Sequence, residues 1–386
     1  MAGVFGLVGK AIKGVLGSNL ENEFSGPGSF EVRLREDMVG KDEDTEVQRI
    51  EGRGIFPSST TISNAGFITS VLDMTGDEPK PVLTPISNFQ EPETVAYFFK
   101  YETGTVSPDH YLPDWAPIGM VIPEILTLPA SGVRKLTIVV RLIDLDNPPT
   151  IEYGFGESPL WANALTFEFL SHEKGYEEEA EDQDEAHALS LKLAMGVAMA
   201  DGSIDETEGS VLKKWVREAI APYEEERQQE LKEMYNKAMK DAYQQATEGA
   251  LVLSDITARL NEIGEKTNKL QAVELAYLIM NADGRIDESE ITAITKITKS
   301  LDLSPEEINN IRDQNIIAFS GPVSVDDNPE GLLGIDPSWD NQKKLKHLTA
   351  EFHKWNGHLN VLPEGQKRNQ AQKLINLIAE LRKQYG

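Results

Sequence analysis

An antiparallel β-sandwich followed by two helical modules is the fold class this sequence predicts. Three observations predict it: a hydrophobic period of two through the first 170 or so residues, a dense acidic run where that period stops, and an internal duplication beyond the run. The 386 residues suffice for two or three cores, because a single core stops growing well below that length. With 40% hydrophobic and 26% charged residues the composition is that of a folded chain.

Residues 1–20 form the first element. Val4, Phe5, Val8, Ala11, Ile12, Val15 and Leu16 recur at helical spacing, with Lys10 and Lys13 among them, which predicts an amphipathic helix. The stripe suits packing against the rest of the chain or against a second copy in a homo-oligomer. It equally suits peripheral contact with an anionic membrane at its inner face. No cleavage site follows it and no apolar run reaches membrane-spanning length, so the expected compartment is the cytoplasm.

Residues 25–172 follow as the β-sandwich. Phe30 to Leu34 alternates apolar and polar, and Val95 to Tyr101, Leu136 to Ile143 and Ala164 to Leu170 are rich in β-branched and aromatic residues. Turn clusters such as Ser25-Gly26-Pro27-Gly28 and Asn147-Pro148-Pro149 separate the strands, and no crossover helix intervenes, so the strands are antiparallel. Asp144 and Asp146 stand at a strand end, where a C2-like domain would carry calcium ligands; ahead of two prolines they also suit turn chemistry.

Residues 173–186 hold Glu177, Glu178, Glu179, Glu181, Asp182, Asp184 and Glu185. Like charges at that density repel, which predicts an extended linker.

Residues 187–320 contain the duplication. Asp201, Gly202, Ile204, Asp205, Glu206 and Glu208 recur as Asp283, Gly284, Ile286, Asp287, Glu288 and Glu290. Upstream, Leu191, Ala194, Met195 and Ala198, and likewise Val273, Ala276, Tyr277 and Met280, follow the spacing of a buried helix face. The glycines suit a left-handed helix end. Asp205 and Asp287 suit N-caps, with Glu208 and Glu290 completing capping boxes.

The same carboxylates also suit a hard cation. With Gly202 as the sixth residue of a calcium loop, Asp201, Asp205 and Glu208 fall on ligand positions, but Val197 and Met199 occupy positions one and three. The second copy adds Asn281 at position three and still has Ile279 at position one. Each turn is short of ligands, so an ion site requires the two turns to pool their carboxylates.

The paired helix and Ala-Asp-Gly-x-Ile-Asp-x-x-Glu units, with Leu303-Ser304-Pro305-Glu306-Glu307-Ile308 downstream as a capped last helix, resemble the TerB family. That resemblance implies an all-helical domain in tellurite resistance, general stress response or phage defence. It also implies divalent-metal binding, of Ca²⁺ or another divalent cation, through Asp201, Asp205, Glu208, Asp283, Asp287 and Glu290. The charged segment Glu224 to Lys240 between the copies is long for the family.

Residues 330–386 resemble a degenerate J-domain. Leu333-Gly334-Ile335-Asp336-Pro337-Ser338 is similar to its start, Leu345, Leu348, Phe352 and Trp355 sit where its second helix would be, and Leu374, Ile375, Ile378 and Leu381 suit the partner helix. Trp355-Asn356-Gly357-His358 stands where the His-Pro-Asp loop belongs, which argues against J-protein activity.

The 64 acidic against 37 basic residues, a formal charge of −27, disfavour nucleic acid as a partner and leave proteins as the expected ones. No cysteine is present, which removes thiolate chemistry and disulfides. Phosphate loops, dinucleotide glycines, nucleophile elbows and zinc helices are missing, and His347, His353 and His358 lack ligand spacing, so the expectation is no enzyme and no organic cofactor.

Overall fold

A computed structural model of the chain describes residues 30–40, 45–56, 58–91, 94–148, 160–283, 287–318, 329–336, 338–362 and 365–386. The helix expected over 1–20 lies outside them. The chain divides into two compact units, Met1–Ala180 and Glu181–Gly386.

The first unit holds eight strands among its described residues: β1 Glu31–Val39, β2 Thr45–Ile55, β3 Ile62–Asp73, β4 Lys80–Pro81, β5 Phe98–Val106, β6 Tyr111–Val121, β7 Gly132–Asp144 and β8 Trp161–Ser171. They form a three-stranded sheet in the order β1-β2-β6 and a five-stranded sheet in the order β4-β3-β7-β8, with β5 also on β3. Every named pairing is antiparallel, as the missing crossover helices predict.

Alternate residues of the two sheets meet in one core. Ile50 and Ile118 come from the small sheet, and Phe67, Ile138 and Leu142 from the large one. Phe30 anchors one end, edge-on to Trp161 at 5.4 Å between ring centroids. Of the expected strands, Val95 to Tyr101 enters the sheet only at Phe98; Ala96 and Tyr97 make isolated bridges to Leu83 and Gln90. Asp144 and Asp146 do turn chemistry: Asp146 N donates to Asp144 Oδ1 at 3.0 Å, and Asn147 Nδ2 to Asp144 Oδ2 at 3.1 Å.

The extended linker is corrected. Tyr176–Ala198 is a continuous helix, α1. Repulsion does not unwind it because several of its acids are paired, capped or placed in the first turn. Glu177 to Glu179 occupy the first turn, where the helix dipole favours negative charge. Glu178 Oε2 accepts from Gly175 N and Ser131 N, both at 2.8 Å, and these bonds hold its carboxyl below the usual range. Further along, Asp184 pairs with Arg227, and Glu185 with Arg259 at 2.7 Å.

The second unit continues with α2 Glu206–Ile220, α3 Glu225–Thr247, α4 Leu253–Ile263, α5 Lys266–Met280, α6 Glu288–Ser300, α7 Pro305–Ala318, the short α8 Pro329–Leu332, α9 Asn341–Val361 and α10 Gln366–Tyr385. Leu191, Leu193, Ala194, Val273, Leu275 and Ala276 are fully buried, so the faces predicted from helical spacing do line the core. The helices α3 and α4 fill the long segment between the repeats.

Residues 187–320 and 330–386, expected as separate domains, share one core that runs from Ala186 to Leu381. The physical reason is a buried charge network. Arg312 of α7 donates through Nη1 to Leu333 O at 2.9 Å, and through Nη2 to Asp313 at 3.0 Å and Glu351 of α9 at 3.3 Å. Lys354 closes it on Asp313, and Trp355 Nε1 donates to Glu351 at 3.1 Å. Three charged groups this deep persist only because each has a partner. Removing α9 would strand them.

Candidate functional site: two converging acidic turns

Each turn is built by local chemistry. Gly202, at φ +97°, takes the left-handed region in the turn that follows α1, and Asp201 Oδ1 accepts from Ser203 N at 2.8 Å. Asp205 caps α2, accepting from Thr207 N at 2.7 Å and Glu208 N at 2.9 Å, while Glu208 Oε2 accepts from Asp205 N at 2.8 Å. The second copy repeats this box. Asp287 Oδ1 accepts from Ser289 N at 2.7 Å, and Glu290 Oε2 accepts from Asp287 N at 3.2 Å. A cap of this kind is worth about 1 kcal/mol. Residues 284–286, including Gly284 and Ile286, lie outside the described residues, whereas Ile204 packs partly buried against the core.

The long segment between the repeats does not hold the turns apart. Burial pushes the Glu290 carboxyl up to about 8, and the charges of Glu208 and Asp283, from across and within the pair, push in the same direction. Glu208 is raised by burial, then by Asp205, Asp201 and Asp283. Both glutamates are buried, at 7% and 9% exposure, while Asp201, Asp205, Asp283 and Asp287 remain exposed. Asp205 moves the other way, held low by the hydrogen bonds from Thr207 and Glu208. The six residues singled out by the repeat thus form one electrostatic cluster: two buried, mutually repelling glutamates rimmed by aspartates.

The donor set is all oxygen, which suits a hard divalent cation and excludes a soft one. Asn281 adds to the fit. Its Nδ2 donates to Asn315 O at 3.1 Å, but its Oδ1 is buried without a hydrogen-bond partner beside the second turn. Against this stands the arrangement itself: among the described residues no group of three or more His, Asp or Glu side chains is poised to hold a metal ion. The capping bonds turn one oxygen of each glutamate toward the backbone.

The three histidines of the tail share α9 without converging. His347 Nε2 lies 2.9 Å from Leu333 O and edge-on to Trp339, His358 lies against Trp355, and His353 is exposed. His347 is therefore a structural contact between elements. Among the described residues no helix is long and apolar enough to cross a membrane.

Comparison with known families gives one match. Residues 186–313, from the first core residues of α1 into α7, match the family model of tellurite resistance protein TerB. The β-sandwich and the hairpin of α9 and α10 lie outside that match. No curated protein matches the chain.

Proposed function

We propose that this chain is a non-enzymatic interaction module of the tellurite-resistance and stress-response type, whose paired acidic turns take Ca²⁺ or another hard divalent cation and whose helical faces take protein partners. One observation carries the ion reading: Glu208 and Glu290 are buried, and burial together with the repulsion of neighbouring acids raises both carboxyls. A cation would relieve that repulsion. Asp201, Asp205, Glu208, Asp283, Asp287 and Glu290 would hold it, with the orphan oxygen of Asn281 close by, and it would supply positive charge that ties the two turns together. The match over 186–313 supports the family setting. Residues 1–20 would add peripheral contact with the inner membrane face of a cytoplasmic protein, which liposome flotation with and without them tests.

Calorimetric titration of Ca²⁺, Mg²⁺ and Mn²⁺ into wild type and Asp283→Ala tests the ion. A saturable heat is expected for wild type, much reduced in the variant. It should include proton release near neutral pH, because Glu290 is then largely protonated without the ion. No metal-dependent heat in wild type would end the ion reading.

A second reading is favoured by the capping bonds, which account for Asp205, Glu208, Asp287 and Glu290 with no ion. In it the chain is a chaperone-type adaptor or a component of a phage-defence assembly. Its J-like tail hairpin docks on another protein, and the turns are purely structural.

A further inference from the structure

A recess of the helical unit opens beside Asp287. It is an open groove of about 650 Å³, within the range of sites that hold small ligands and short peptide segments. Gly196 of α1, Ala200 in the turn after it and Leu253 of α4 make its apolar side, and Ser289, Thr292 and Ala293 of α6 line it as well. Gly196 packs closely there: a Cβ would come within 2.6 Å of Leu253 Cδ2, so the tip of that side chain would have to shift.

The charges along this groove are ordered. Asp287 and Glu288 stand at one end and Lys296 at the other. Glu288 and Lys296 are eight residues apart on α6, about 12 Å along the axis, too far to pair with each other. Both side chains are exposed, and neither is drawn into a described ion pair or side-chain hydrogen bond. A recess with an apolar wall, a line of hydroxyls and uncompensated opposite charges at its two ends is complementary to one kind of ligand. That ligand is a short extended segment with a basic side chain and an acidic one four residues apart, since an extended chain covers about 13 Å over that interval. The long stem of lysine or arginine would lie on Leu253 and Ala293 while its charged end reaches the carboxylates. The net charge of −27 would steer the basic end in.

We propose that this groove is a docking site for such a dipolar peptide segment of a protein partner, its basic side chain at Asp287 and Glu288 and its carboxylate at Lys296. The proposal rests on reading the helical unit as an interaction module; it does not rest on ion binding.

The test is amide NMR of the full chain titrated with the peptide acetyl-Lys-Ala-Leu-Ala-Glu-amide to millimolar concentration. Saturable shifts are expected at Ala200, Leu253, Ser289, Thr292 and Ala293. Glu288→Gln and Lys296→Gln should each weaken binding by roughly threefold, the worth of one exposed ion pair. Thr292→Trp, which fills the groove from an exposed position, should abolish it. The proposal is overturned by an absence of shifts in the groove, by equal binding of acetyl-Ala-Ala-Leu-Ala-Ala-amide, or by spermidine producing the same shifts at the same concentration. It is also overturned if those amides shift with protein concentration alone, which would make a second copy the occupant. Calcium heat retained in Thr292→Trp would leave the ion reading standing whether or not the peptide binds, and peptide binding retained in Glu290→Gln would do the converse.

Discussion

Glu290 sets local capping against the burial of charge in a single side chain. It completes a capping box, and it does so buried and beside Glu208. Its carboxyl titrates near 8 in the folded protein against about 4.5 in an unfolded chain. A group raised in this way contributes stability that is fully present below the unfolded value and lost as pH rises through the folded one, at roughly 1.4 kcal/mol per unit of difference. The helical unit should therefore weaken between pH 5 and pH 8.5 on this account. Glu290→Gln keeps the oxygen that accepts from Asp287 N and carries no charge, so it should flatten that part of the profile and be the more stable protein at pH 8.5. Urea unfolding of both proteins at the two pH values checks this, and an unchanged slope would show that the carboxyl is not buried with its neighbour. A divalent cation that binds the turns should cancel the same weakening in wild type.

Among the elements, α1 shows why charge density alone misleads about local structure. Its acids were expected to hold the chain extended, yet each pairing or cap removes one of them from mutual repulsion, and the first-turn position makes three of them favourable. Asp184 is the telling case. It is buried, and burial raises its carboxyl even with Arg227 alongside. Arg227→Ala should cost about 3 kcal/mol at pH 7, because it leaves that carboxylate without its cation, whereas an exposed pair would cost well under 1 kcal/mol. The loss should shrink in mildly acidic buffer, where Asp184 can take a proton instead. Denaturant titrations at pH 7 and pH 5 separate the two situations.

Across the whole helical unit, the deciding fact is that α7 and α9 share a buried charge network inside a continuous apolar core. A chain ending at residue 320 would lose the burial of Leu348, Trp355, Leu374 and Ile378 and would leave Arg312 and Asp313 without Glu351 and Lys354. It should show no cooperative unfolding transition. In the full chain, fluorescence of Trp215 and of Trp355, each observed with the other four tryptophans replaced by phenylalanine, should report the same urea midpoint. Separate midpoints would mean that the tail hairpin is an independent domain after all.

By itself the sequence determined the helices that lead into each turn, the capping boxes, the antiparallel character of the sheets and the identity of the six acidic residues. The helices and capping boxes follow from spacing within a few residues, where backbone geometry leaves few choices, the sheet character from the missing crossover helices, and the six acids from the duplication. Only the tertiary structure decided that the charges of the two turns act on one another despite the inserted helices α3 and α4, that Glu208 and Glu290 are the buried members of the six, and that the tail joins the central core. Those outcomes depend on which distant side chains exclude water from one another. Asp205 and Glu208 stand three residues apart in the same turn, and it is burial by the rest of the fold that lowers one carboxyl and raises the other.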